Sequence, residues 1–274
     1  MTRADALLAA CGSWLAAGLF WGGLHAWTLV PPLAVYAALV LDGILRPAAP
    51  WFLPVLTHGD RTRPMVALTF DDGPDPQVTP QVLDTLRRHR ARATFFLIGA
   101  SAAAHPALVR RIVAEGHEIG NHSHAHPRLI NFFPTRRLQS EIERASLALR
   151  RLTGIAGPLR YRPPMGLKNP WLARVQRRLG LQVVSWSLHA RDTGGRPPES
   201  IAARVLSRVR SGDIVLLHDG HDLPGRRREN VVQALDLILE GLAARQLEPV
   251  PVGRLLPAPA TASRRPADSV RETT

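Results

Sequence analysis

Short apolar runs alternate with amphipathic helical patterns along this sequence, which predicts an α/β fold. The residues able to do chemistry fall at or just after the carboxyl ends of the apolar runs, where α/β barrels place their active sites. A hydrophobic fraction of 45% over 274 residues is enough for one core of about 200 residues with attachments.

The first segment stands apart. Residues Ala6 to Val30 contain no Asp, Glu, Lys or Arg, a stretch longer than the roughly 20 residues needed to cross a bilayer. Pro31-Pro32 and a second apolar stretch, Leu33 to Leu41, follow. Two arrangements fit: one transmembrane helix followed by an interfacial stretch, or a helical hairpin turning at Gly22-Gly23 with Leu24 to Leu41 as the return helix. The run exceeds an ordinary signal-peptide core and no clear small-residue cleavage site follows, so a retained membrane anchor and linker is expected over 1–56. Trp14, Trp21, Trp27 and Trp51 suit anchoring at a membrane interface. Arg3 precedes the apolar region and Arg46, Arg61 and Arg63 follow it, so a hairpin with both ends cytoplasmic satisfies the positive-inside tendency.

The catalytic domain is expected over 63–256. Met65 to Phe70 reads as a buried strand ending in Asp71-Asp72-Gly73-Pro74. Thr79-Pro80 resembles a helix N-cap with proline in the first turn, leading into Val82 to Arg90. Ala93 to Ile98 is a strand, Pro106 to Glu115 a helix, and His117 to Gly120 a strand. Thr135 opens a long helix to Leu152, with Leu138, Ile142, Ala145 and Leu149 on one stripe. Strands are expected at Gln182 to Ser187 and Asp213 to His218, separated by a helix near Ile201 to Val209. Asn230 to Ala244 is the last helix and Val250 to Val252 the last strand. Beyond Leu256 the residues are mostly Pro, Ala, Ser, Thr and Arg, and 257–274 reads as a disordered tail.

Two adjacent carboxylates at a strand end repel one another unless a cation stands between them and further ligands. Side chains alternate along a strand, so Asp71 and Asp72 point differently, one toward a metal and the other toward a reacting water. About fifty residues on, His122-Ser123-His124-Ala125-His126 supplies three imidazoles. On a helical turn, His122 and His126 share one face at i, i+4, whereas His124 faces a groove. One carboxylate and two imidazoles leave coordination positions open, as a catalytic metal site requires.

With these motifs in order, the chain resembles the polysaccharide deacetylase family, the carbohydrate esterase family 4 or NodB-homology enzymes. Thr69-Phe70-Asp71-Asp72-Gly73-Pro74 matches the first of five family motifs, implying Asp71 as catalytic base and Asp72 as metal ligand. The histidine run matches the second, implying His122 and His126 as the remaining ligands. Arg162-Pro163-Pro164-Met165-Gly166 matches the third, implying that Arg162 orients the base and that the Met165 backbone N–H holds an oxyanion; the family usually has an aromatic at Met165. The fourth match, Trp186 to Thr193, is partial: only Asp192 carries over, because His189 and Thr193 stand where the family has aspartate and tryptophan. Val215-Leu216-Leu217-His218-Asp219 matches the fifth, implying His218 as the acid and Leu217 in the pocket for the acyl methyl. Trp186 and Trp171 read as core, with Trp186 also grouped among the residues beside substrate.

The resemblance implies a distorted (β/α) barrel of seven strands and hydrolysis of an N-acyl sugar, in a polysaccharide or on a lipid carrier, to an amine and a short acid. Nitrogen and oxygen ligands suit zinc, with cobalt, nickel or manganese able to occupy the same site. A cytoplasmic site would favour a deformylase of a lipid-linked amino sugar, whereas the family's commoner placement is extracytoplasmic. The altered fourth motif also admits a non-catalytic protein binding glycan or anionic lipid, against which the retained Asp71, Arg162, Asp192 and His218 argue.

The charge is +13, almost all arginine with Lys168 the only lysine. A basic surface draws anionic partners such as lipid headgroups. No nucleic-acid-binding motif accompanies it, so nucleic acid is not an expected partner. Arg226-Arg227-Arg228 reads as a solvated loop, with a phosphate contact as the alternative. His58, His89, His105, His117 and His221 read as surface or loop residues. The lone Cys11 excludes an intramolecular disulfide.

Overall fold

The computed structural model describes residues 3–21, 25–220 and 229–256. At its centre lies β1 (Met65–Asp71), in which every residue is buried. Both faces of this strand are covered, which is why it reads as a continuous apolar run rather than an alternating one. Strand β2 (Thr94–Leu97) pairs on one side of β1 and β3 (Glu118–Asn121) lies beyond it. On the other side come β5 (Ile214–His218) and then β4 (Leu188–His189), all parallel. A short β6 (Glu248–Pro249) pairs with the beginning of β1.

Parallel neighbours need crossovers, and helices supply most of them. They are α3 (Val78–Arg88), α4 (Gly99–Ala104), α5 (Pro106–Ala114), α6 (Thr135–Thr153), α7 (Pro170–Leu179), α8 (Pro198–Leu206), α9 (Glu229–Ala244) and the single-turn α10 (Val252–Leu255). The expected stripe of α6, Leu138, Ile142, Ala145 and Leu149, is buried as a set. The largest apolar cluster packs α3, α8 and α9 against β1, β2 and β5.

The seven-strand barrel needs correction in detail. Among the described residues six strands form, and the far edge of β3 is continued by single parallel bridges from Asn121 to Tyr161, Tyr161 to Val183 and Val184 to Leu56. The parallel α/β architecture is therefore as expected, with part of the curl carried by isolated bridges. The strand expected at Gln182 to Ser187 is reduced to those bridges at Val183 and Val184, and regular pairing begins later, at Leu188. The strand expected at Val250 to Val252 is instead β6 followed by α10, because Pro251 caps the latter. Helix α3 begins at Val78 rather than after Thr79: the Asp75 carboxylate accepts from the N–H groups of Gln77 and Val78 and starts the helix early. Helices α4 and α7 were not anticipated, although Asn169-Pro170 is a good start signal and the Asn169 side chain accepts from Leu172 N–H.

The N-terminal residues form α1 (Arg3–Trp21) and α2 (Ala26–Leu45), which pack together with Leu7 to Trp14 facing Pro31 to Val35. This is a helical hairpin; Gly22-Gly23, where the turn was expected, lies outside the described residues. Among the described residues no helix is long and apolar enough to cross a membrane, which corrects the transmembrane expectation. The uncharged run is divided between two helices, the first opening with Arg3 and Asp5 and rich in alanine, the second holding Pro31, Pro32 and Asp42. The expected tail at 257–274, His221 and the Arg226-Arg227-Arg228 triplet also lie outside the described residues.

Candidate active site

Register builds the centre of the site. Asp71 ends β1 and sits opposite His218, the last residue of β5, so two parallel strands deliver a carboxylate and an imidazole to the same level. Asp72 then adopts φ 73°, a left-handed conformation that leaves the strand and turns its carboxylate toward the histidine loop. Both aspartates are buried.

His122 and His126 converge on Asp72, but not through a helical turn. Residues 122–128 form a loop in which Ser123 (φ 69°) and His126 (φ 49°) are left-handed. Side chains take over the backbone bonding: the Asn121 side-chain Oδ1 accepts from Ser123 N–H at 2.8 Å, and the Ser123 hydroxyl accepts from His126 N–H at 3.0 Å. The two Nε2 atoms each lie 3.4 Å from Asp72 Oδ1. His122 Nδ1 is 2.8 Å from the carbonyl of Arg162, which fixes it as the protonated nitrogen and leaves Nε2 as the lone-pair atom. Ligand atoms about 2.1 Å from a tetrahedral ion stand about 3.4 Å apart, so donor type, tautomer and spacing fit a small divalent cation. His124 does not line the cavity; it packs where a Cβ on Gly99 would lie 2.9 Å from its Nδ1.

Arg162 is fully buried, with Nη1 donating to Asp71 Oδ1 and to the Thr69 hydroxyl, each at 2.7 Å, and Nη2 donating to Ser185 O at 2.9 Å. Its guanidinium stacks over Phe96 at 4.0 Å. Asp192 grips His218 twice, accepting from its backbone N–H at 2.7 Å and from Nδ1 at 3.0 Å. Burial works against charge on His218, yet the charge and hydrogen bond of Asp192 prevail and push its pKa up to about 9. Burial also opposes the charge on Asp72, but the surrounding imidazoles, the protonated His218 among them, hold it well below the usual carboxylate range.

A cavity of about 220 Å³ opens onto these groups, lined also by Met165, Gly166, Trp186, His189, Thr193 and Leu216. Met165 is left-handed (φ 57°), with its side chain half exposed. Trp186 is on the cavity wall rather than in the core, its ring so close to Gly166 that an added Cβ would lie 2.3 Å away. Leu217 is not beside the cavity. Side chains alternate along β5, so Leu216 shares the face of His218 while Leu217 points into the helix-covered core. Period-two counting back from His218 would have found this.

Asp219 was not singled out by the sequence. It is fully buried, accepts from the Thr79 hydroxyl at 2.6 Å, and is pushed up to about 7, chiefly by burial. His117 was expected on the surface but is buried; its Nδ1 accepts from Ala93 N–H at 3.2 Å, and burial lowers its pKa to about 4.

Comparison with known proteins agrees with this geometry. The polysaccharide deacetylase family model matches residues 58–184. A chitooligosaccharide deacetylase of Bradyrhizobium sp. (strain ANU 289) is 40% identical over 198 residues, covering 69% of this chain and 90% of that protein. A peptidoglycan-N-acetylglucosamine deacetylase of Bacillus cereus is 41% identical over 194 residues, covering 70% and 88%. A crystal structure of a peptidoglycan N-acetylglucosamine deacetylase superposes with a TM-score of 0.69 at 34% identity, covering 74% of this chain and 92% of that one. With the motif residues gathered around one cavity and relatives of this similarity, the chain belongs to the polysaccharide deacetylase family and is a hydrolase of carbon–nitrogen bonds other than peptide bonds.

Proposed function

We propose that this enzyme removes the N-acetyl group from N-acetylglucosamine residues of a glycan. The observation that carries the reading is the pairing of Asp71–Arg162 with His218–Asp192 on adjacent strands at one register, beside the Asp72, His122 and His126 cluster. A divalent cation, zinc by the nitrogen and oxygen donor set, held by Asp72, His122 and His126 would polarise the amide carbonyl and lower the pKa of water at the site.

The chain's own groups supply the rest. Arg162 fixes the Asp71 rotamer, and Asp71 accepts a proton from the attacking water as oxygen bonds to the carbonyl carbon. The Met165 backbone N–H faces the carbonyl oxygen as it gains charge. His218, held protonated by Asp192, donates its proton to the sugar nitrogen as the carbon–nitrogen bond breaks, giving an amine and acetate. Relatives named for chitooligosaccharides and for peptidoglycan both support an N-acetylglucosamine glycan as the substrate class.

We also place the chain at a membrane, with the α1–α2 hairpin against one leaflet. The exposed Leu8, Trp14, Phe20, Val30, Leu33, Val35, Leu41 and Leu45 of these helices support that placement.

The chemistry is tested by acetate and amine release from N-acetylglucosamine oligomers and peptidoglycan fragments with zinc-loaded enzyme and its Asp71→Asn variant. The variant is expected to lose about 10²- to 10⁴-fold in kcat. Equal release by both proteins would sink this mechanism.

A further inference from the structure

We propose that His189 is a substrate-binding residue, its Nε2–H donating a hydrogen bond to an oxygen acceptor on the sugar next to the acetamido group. The inference rests on the deacetylase reading for the identity of its ligand. His189 ends β4 opposite Leu216 of β5, and its ring lies 5.8 Å from the His218 ring and 5.9 Å, edge to face, from Trp186. All three line the cavity.

The tautomer follows from one contact. The backbone N–H of Arg191, a left-handed residue at φ 59°, donates to His189 Nδ1 at 2.9 Å. A nitrogen that accepts carries no proton, so the neutral ring bears its single proton on Nε2. Burial and the neighbouring charge of His218 keep the ring neutral, lowering its pKa to about 4. Among the described residues nothing accepts from Nε2–H. A neutral donor at the edge of a sugar-sized cavity calls for an oxygen. Because the adjacent His218 stands where the departing nitrogen takes its proton, the oxygen within reach is one on a carbon flanking the amide-bearing carbon.

The competing reading is that His189 only braces the Arg191 turn, and two amide substitutions separate the roles. In His189→Asn the side-chain oxygen replaces Nδ1 and keeps the Arg191 contact, but the far donor is gone. In His189→Gln the amide nitrogen replaces Nε2 and the near acceptor is gone. Dissociation constants for the N-acetylglucosamine tetramer, measured by calorimetry on the zinc-loaded proteins, are paired with kcat, KM and the pH profile. Loss of one hydrogen bond to substrate is expected to raise Kd and KM about tenfold in His189→Asn, with kcat and its alkaline limb unmoved and His189→Gln near wild type. The opposite order, or wild-type binding by both variants, overturns the proposal. Tetramer binding with the expected order but no amine release would leave His189 as a binding residue and overturn the deacetylase reading; no tetramer binding by the wild type overturns the proposal itself.

Discussion

At the scale of single residues, the acid is made by its partner. His218 is mostly withdrawn from solvent, which by itself favours the neutral ring, and Asp192 reverses that preference through charge and a 3.0 Å hydrogen bond. If protonated His218 is the working form, activity falls as pH rises through about 9. The Asp192→Asn variant should move that alkaline limb down toward 6.5, the ordinary histidine value, and a pH–rate profile of both proteins measures the displacement. The stability linkage has the same sign: the folded pKa lies above the unfolded one, so the contribution of this pair is complete below about pH 6.5 and is lost as pH rises through about 9. An unmoved limb in the variant would show that another group sets it. Asp71 and Asp72 illustrate a second point at this scale. Adjacent in sequence, they are separated in role by one backbone torsion, since a left-handed Asp72 turns out of the strand that Asp71 completes.

Among elements, the strands place the groups and the loops aim them. The Asp71–His218 register follows from pairing β1 with β5, whereas the histidines reach Asp72 only because a loop with two left-handed residues folds back on its own side-chain acceptors. The hairpin is also tied to the domain. Lys168, three residues beyond Met165, is fully buried and donates to the carbonyls of Arg46 and Pro47, just past the end of α2, at 2.7 and 2.8 Å. Trp51 Nε1 reaches back to Asp42 at 2.9 Å, so this tryptophan serves the junction, while Trp14 remains exposed. For the membrane placement, the full chain is expected to float with anionic phospholipid vesicles, and Leu33→Glu with Leu41→Glu should shift most of it to the soluble fraction. Flotation unaffected by both charges would remove the hairpin as the contact.

For the molecule as a whole, a three-residue cluster able to hold a cation joins segments that are distant in sequence. Asp72 follows β1 and the histidines follow β3, so an ion bound there would link two arms of one sheet and stabilise only the folded chain. Zinc at a hundred times its Kd should stabilise by about 2.7 kcal/mol. That corresponds to a rise in Tm of roughly 5 to 10 °C for a chain of this size. A chelator should reverse the rise and His122→Ala should abolish it; the same rise in the variant would place the ion elsewhere.

The amino-acid sequence by itself determined the α/β class, the central buried strand, the apolar stripe of α6 and the motif residues that line the site, because these depend on local periodicity and on side-chain chemistry. Only the tertiary structure decided that Leu216 rather than Leu217 faces the cavity, that Trp186 forms its wall, that His117 is buried, and that the histidine motif is a loop. It also replaced the expected strand at Gln182 to Ser187 by isolated bridges and, of the two arrangements expected for the N-terminal run, took the hairpin. Each of these turns on which way a side chain points or which segment lies alongside. Residues far apart in sequence settle such questions through strand register, left-handed turns and buried hydrogen bonds, which the composition of any one segment does not contain.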